Sequence, residues 1–186
     1  MSSDTWVFGY GSLVSPTSLA STIGRHVGPD EVAIAHLDGY GRRWNYGSLH
    51  LRGDWQHDGA AIEQGLVVSL GLIVADETCN GVAVRVTAEE LAQLDWRERD
   101  YERTDVSDQI RSELGAGTRI FTYVPRPSAV ERYETARDEG RAAIRRPYWD
   151  LVADAFRQLG TEHHELYSTT PAPDVPVVAM SLSMLG

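Results

Sequence analysis

Hydrophobic positions change their spacing several times along the chain, and each change predicts an element. Trp6-Val7-Phe8 is an unbroken run of β-formers and predicts a short buried strand. Gly9-Tyr10-Gly11 then loosens the backbone into a turn, and Ser15-Pro16 supplies an N-cap and a first helical residue. Leu19 and Ile23 repeat at helical spacing, with Gly24 placed to close that helix. Val32 to Leu37 predicts a second strand, ahead of Gly39-Tyr40-Gly41-Arg42-Arg43-Trp44. From Gly47 to Gln64 the periodicity fades and Gly, Asp and His accumulate, which predicts a surface loop. Leu66 to Val74 predicts one buried strand, or two with a bend at Gly71. Asp76 to Gly81 reads as a turn before another strand, Val82 to Val86.

The second half is more helical. Thr87 and Glu90 form a capping box that opens a helix carrying Leu91, Leu94 and Glu98 at i, i+3 and i+7. That spacing puts a carboxylate on an apolar face, which is costly unless the group is paired or protonated. The residues alone leave two readings open. One is a pair with Arg97 or Arg99 at a frayed helix end; the other is a general base whose pKa burial lifts toward neutrality. Arg119 to Val124 predicts a strand stopped by Pro125, and Ser128 with Glu131 a second capping box for a helix running to Gly140. Pro147 opens a further helix, whose stripe of Tyr148, Leu151, Val152, Ala155, Phe156 and Leu159 reads as core. Strands come first and helices gather late, so the order favours an α+β fold over a doubly wound sheet.

The strand, glycine turn and helix start at the N-terminus bring free backbone N–H groups together, a setting for a small carboxylate or phosphate. The plainer reading is a tight connection and nothing more. Neither of two familiar nucleotide motifs fits. The dinucleotide fingerprint needs a third glycine where Val14 stands, and the Walker pattern needs an absent Gly-Lys. Ser12 is no hydrolase elbow nucleophile, because Tyr10 and Val14 occupy the glycine positions.

Composition narrows the rest. The 186 residues suit one domain, 1–186, with 168–186 as a C-terminal tail marked by Pro171, Pro173 and Pro176. A formal net charge of −10 argues against nonspecific nucleic-acid binding. Cys79 is the only cysteine, which excludes an intrachain disulfide and a thiolate zinc site and favours a reducing compartment. At a turn without cationic neighbours it is not expected to be a nucleophile. The six histidines lack metal-ligand spacing, and His163-His164 lie on a polar segment where solvation is expected. Arg42-Arg43 and Arg145-Arg146 read as solvated clusters. The first residues show no basic segment followed by an apolar core, so no signal peptide is expected, and the run from Leu66 to Ala75 is too short to cross a bilayer; a cytoplasmic protein without membrane contact is expected.

Taken together, Val7-Phe8-Gly9-Tyr10-Gly11-Ser12-Leu13-Val14, the segment Gly39 to Trp44, Asn80-Gly81-Val82-Ala83 and Leu94 to Tyr101 resemble the gamma-glutamylcyclotransferase superfamily, most closely its ChaC-like branch. Thr122-Tyr123-Val124 and the Tyr148 helix keep the expected order. The resemblance implies a small mixed β-barrel with surrounding helices and a cavity joining the Tyr10 loop to Glu98. It implies release of 5-oxoproline from a small-molecule γ-glutamyl substrate, with no cofactor and no metal. By the same likeness Glu98 is the catalytic acid/base, while Tyr10, Gly11, Ser12, Leu13, Val14 and Tyr123 bind substrate. Two departures bear on the leaving group, be it cysteinylglycine, an amino acid or an amine. Only Arg99 and Asp100 separate Glu98 from Tyr101, where the branch has a longer segment, and Ser15 replaces an aromatic. The likeness around Gly39 to Trp44 tilts the choice toward glutathione. The rival readings are a noncatalytic binding module on the same fold and an α/β nucleotide binder, the latter weakened by the missing glycine and lysine.

Overall fold

The computed structural model describes residues 4–115 and 117–185. Strand β1 (Thr5–Gly9) leads through a 3-10 turn at Ser12–Val14 into helix α1 (Pro16–Ile23). Two long strands follow, β2 (Val32–His57) and β3 (Ala60–Val86), and then helix α2 (Ala88–Arg97). Strands β4 (Tyr101–Asp105), β5 (Ile110–Ser112) and β6 (Arg119–Pro125) precede helix α3 (Pro127–Asp138). Strand β7 (Ala142–Arg145) runs into α4 (Arg146–Leu159) and α5 (Thr161–Ser168), and β8 (Val177–Val178) and β9 (Ser181–Met184) come last. The expected α+β class is what the chain adopts.

The described strands form one nine-stranded sheet with a main path β4-β6-β1-β3-β2-β5. β1 lies centrally, parallel to β6 and antiparallel to β3, so the turn that follows it opens beside the middle of the sheet. The tail residues join this sheet: β8 pairs with β7, and β9 with β2. One core of large side chains, including Phe8, Leu37, Leu70, Ile144, Val152 and Phe156, fills the space between the sheet and α1, α4 and α5. A smaller cluster of Val7, Val86, Leu94 and Tyr123 sits on the opposite face, under α2.

Two expectations fail in the first half. Gly47 to Gln64 is not a loop, and Asp76 to Gly81 is not a turn. Both belong to the β2–β3 hairpin, which turns at Asp58-Gly59 with φ of 49° and 80°. That pair of positive φ angles is the usual two-residue hairpin geometry, for which Asp-Gly is a favoured sequence. Periodicity fades there because the register shifts four times between Asp38 and Trp55, and each shift resets the alternation of inward and outward residues. Cys79 therefore lies buried in a strand, where burial pushes its thiol pKa up.

In the second half, Ser128 and Glu131 do not cap α3. Pro127 takes the first helical position and Arg126 is the N-cap, since proline's fixed φ suits that site and its missing N–H costs nothing there. Ser15, Gly24 and the Thr87–Glu90 capping box stand as expected. Ser15 Oγ accepts from Ser18 N–H at 3.3 Å, and Gly24 ends α1 at φ 77°. Thr87 and Glu90 exchange side-chain to backbone bonds of 2.9 and 3.2 Å.

Arg42 corrects the reading of solvated arginine pairs. It is 4% exposed and its guanidinium lies over the rings of Phe156 and Tyr167, at 4.7 and 5.1 Å. Four hydrogen bonds engage it, to the Tyr10 carbonyl (2.8 Å), the Asn80 carbonyl (2.5 Å) and side chain (3.1 Å), and Thr170 Oγ1 (3.1 Å). An arginine can be buried this way because a planar, delocalised cation stacks on aromatic faces while its edge meets carbonyls.

Candidate active site

The turn after β1 is shaped by two bonds, Val14 N–H to the Gly11 carbonyl (3.0 Å) and Ser15 N–H to the Ser12 carbonyl (3.1 Å). The N–H groups ahead of them, on Tyr10, Gly11, Ser12 and Leu13, make no hydrogen bond to the described residues. A turn that starts with unsatisfied donors presents a partial positive charge at its mouth. Arg42 anchors the other side of this backbone through the Tyr10 carbonyl.

Glu98 arrives from α2. It is the C-cap, its N–H bonded to the Leu94 carbonyl at 2.7 Å, and its own carbonyl accepts from Tyr101 N–H at 2.8 Å. Thus the short Arg99-Asp100 link goes straight into β4. Glu98 is both paired with an arginine and buried. Arg97 Nε lies 3.3 Å from Glu98 Oε1, yet the side chain is only 18% exposed and lines a cavity with Phe8, Gly9 and the turn. Burial raises its pKa above the ordinary carboxylate value, and the Arg97 charge only partly opposes that. Burial in an apolar setting disfavours the charged form, which is what shifts a carboxylate toward neutrality.

The cavity is about 60 Å³ and is lined by Tyr10, Gly11, Ser12, Leu13, Glu98 and Tyr123 among others. Six of the seven site residues named from sequence are thereby brought together. Val14 is not among the lining residues; its side chain is buried in the main core. A larger hollow of about 410 Å³ beside α3 is lined mainly by Arg, Glu and small polar residues and lies away from Glu98.

Five lining residues were not among the site residues named from sequence: Phe8, Gly9, Leu70, Tyr101 and Tyr148. Tyr148 falls on an apolar stripe, which a tyrosine satisfies with its ring whatever its hydroxyl meets. Leu70 falls where β2 and β3 lose register, between the pairs Arg43–Gly71 and Tyr46–Ser69. Burial raises the pKa of Tyr10, Tyr101, Tyr123 and Tyr148, and the Glu98 charge adds to the effect on each. The four phenols are therefore neutral donors at physiological pH, gathered around one carboxyl group.

Gly11 leaves space as well as a backbone donor. A Cβ added there would sit 3.2 Å from Tyr148 Oη and 3.4 Å from Leu70 Cδ1, so a side chain would enter the cavity. Gly11→Val is expected to raise KM for the ligand's conversion by an amount in keeping with about 1–3 kcal/mol of overpacking. Steady-state kinetics would check this, and an unchanged KM would count against a binding role for the turn.

The raised Glu98 pKa also has a sign for stability. The folded state holds the proton more tightly than the unfolded state, so ionising Glu98 costs stability as pH rises through its folded pKa. Glu98→Gln is therefore expected to melt higher than wild type at neutral pH. The gap should close below the ordinary carboxylate pKa of 4.5, where both side chains are neutral. Melting curves across pH would show it.

Over 176 residues the chain is 27% identical to gamma-glutamylcyclotransferase 2-3 of Arabidopsis thaliana, spanning 83% of this chain and 81% of that protein. Among solved structures it is similar to a gamma-glutamyl cyclotransferase, with a TM-score of 0.53 and 14% identity over 92% and 90% of the two chains. YkqA from Bacillus subtilis gives a TM-score of 0.55 at 16% identity, over 90% of this chain and 55% of that one. At these identities the structural likeness is one of fold. The family itself is settled by the match of residues 5–144, which hold the turn, Glu98 and Tyr123: the chain belongs to the ChaC-like protein family.

Proposed function

We propose that the chain is a gamma-glutamylcyclotransferase, which releases 5-oxoproline from a γ-glutamyl compound such as glutathione or a γ-glutamyl amino acid or amine. The observation that carries this reading is the buried, pKa-raised Glu98 sharing one cavity with the unsatisfied N–H groups of the Tyr10–Leu13 turn.

The reaction asks for little else. The substrate's α-amine must lose a proton before attacking its own γ-amide carbonyl. An ordinary glutamate lies about 4 pKa units below an α-amine of about 8, an uphill transfer of about 5 kcal/mol. Raising the Glu98 pKa narrows that gap. The amine nitrogen then bonds the carbonyl carbon, and the π pair moves onto oxygen. Collapse of that intermediate breaks the original C–N bond as Glu98 returns its proton to the leaving nitrogen, and the surplus proton on the ring nitrogen passes by way of the same carboxylate to the freed amine, which departs as an ammonium ion beside a neutral lactam. Attack is intramolecular, so no protein nucleophile is required, and folding the γ-glutamyl chain back on itself supplies proximity. The turn N–H groups suit the α-carboxylate, whose charge they face without a competing acceptor.

The test is to incubate the protein with glutathione and a panel of γ-glutamyl amino acids and amines and to assay 5-oxoproline. Product from any member supports the reading and ranks the leaving groups. Binding without product from all of them would replace it with a noncatalytic module.

A further inference from the structure

Four tyrosines line the cavity, and three have their hydroxyl protons committed to the protein. Tyr10 O–H donates to the Tyr123 carbonyl at 2.7 Å, Tyr101 O–H to the Leu70 carbonyl at 3.1 Å, and Tyr123 O–H to Asp95 Oδ1 at 2.8 Å. Tyr148 O–H donates to no acceptor among the described residues, although the ring lines the same cavity. Its oxygen faces the turn across the space that Gly11 leaves open, 3.2 Å from the point a Cβ would occupy. The ring is braced from behind. Trp44 meets it edge-on at 6.1 Å and is itself stacked on Trp149 at 4.9 Å. Burial pushes the Tyr148 pKa up, the Leu70 backbone N–H beside its oxygen opposes the rise, and the Glu98 charge adds to it, so the phenol keeps the proton it can donate.

A fixed, uncommitted donor beside the proton-transfer group is what an acyl-transfer site needs where negative charge develops. We propose that Tyr148 donates to the γ-carbonyl oxygen as it becomes an oxyanion, which leaves the turn N–H groups to the α-carboxylate. This rests on the γ-glutamyl reading above. No proton leaves Tyr148 in the step. Its hydrogen bond shortens as the π pair arrives on oxygen and relaxes when that pair returns and the leaving amine departs.

The test is Tyr148→Phe, assayed for 5-oxoproline release from whichever γ-glutamyl compound the wild type turns over. Removing one oxyanion donor typically lowers kcat about 10²–10³-fold. That loss is expected here, with KM and melting temperature close to wild type, because the ring and its contact with Trp44 remain. A role confined to packing would lower the melting temperature and leave kcat of the folded enzyme intact. A role in ground-state binding would raise KM. Either result, or full activity, overturns the assignment. If Tyr148→Phe does not fold, 3-fluorotyrosine at position 148 keeps the ring and the O–H but makes it a stronger donor; kcat should then change with KM constant, and an unchanged kcat overturns the assignment. A wild type that turns over no γ-glutamyl compound fails at the earlier reading, and the Tyr148 assignment falls with it.

Discussion

Glu98→Gln is expected to lower turnover of a γ-glutamyl substrate by at least the ~10²–10⁴-fold typical of general acid–base catalysis. The same carboxyl group serves twice, taking a proton from the α-amine and giving one to the leaving nitrogen. Glutamine has nearly the same shape and can do neither. Because the Glu98 backbone is held at the end of α2 by bonds to Leu94 and Tyr101, the replacement leaves the cavity walls in place. Substrate binding should therefore survive, with KM within a few-fold of wild type. A large rise in KM with unchanged kcat would recast Glu98 as a binding residue.

Phe156→Ala should have the largest effect on stability. The side chain is fully buried, stacks on Tyr167 at 4.5 Å with the rings 8° from parallel, and lies beneath the Arg42 guanidinium. Truncating a buried phenylalanine costs about 3–5 kcal/mol. For a chain of this length each kcal/mol moves the melting temperature by about 2–4 °C, so a fall of about 6–20 °C is expected. The loss also reaches the site. Arg42 has no carboxylate among the described ion pairs; it depends on aromatic faces and on carbonyls, one of them from Tyr10. Urea unfolding measures the first effect. A loss under about 1 kcal/mol would mean that the core collapses readily into the space.

The parts of this fold that were legible in the sequence are those set by local chemistry. Strand β1, the Ser15 cap, the Gly24 terminus and the Thr87–Glu90 box each follow from residues within a few positions of one another. The β2–β3 hairpin was hidden because its repeated register shifts erase period-two alternation, although Asp58-Gly59 was a usable turn signal. Glu98 stood out as a carboxylate on an apolar face, but only the three-dimensional arrangement joins it to a turn nearly ninety positions earlier. Arg42 and Tyr148 were misread for one common reason. An arginine buried by distant aromatic rings and a tyrosine that spends its ring on the core and its hydroxyl on a cavity both depend on partners far along the chain. Hydropathy patterns carry no record of such partners.

The most direct test of the central claim is 5-oxoproline formation by wild type and Glu98→Gln under single-turnover conditions, with enzyme in excess over a γ-glutamyl compound that both proteins bind. The account predicts a burst of product from wild type and none on the same timescale from the variant. Equal product from the two, or bound ligand left intact by the wild type, would contradict it.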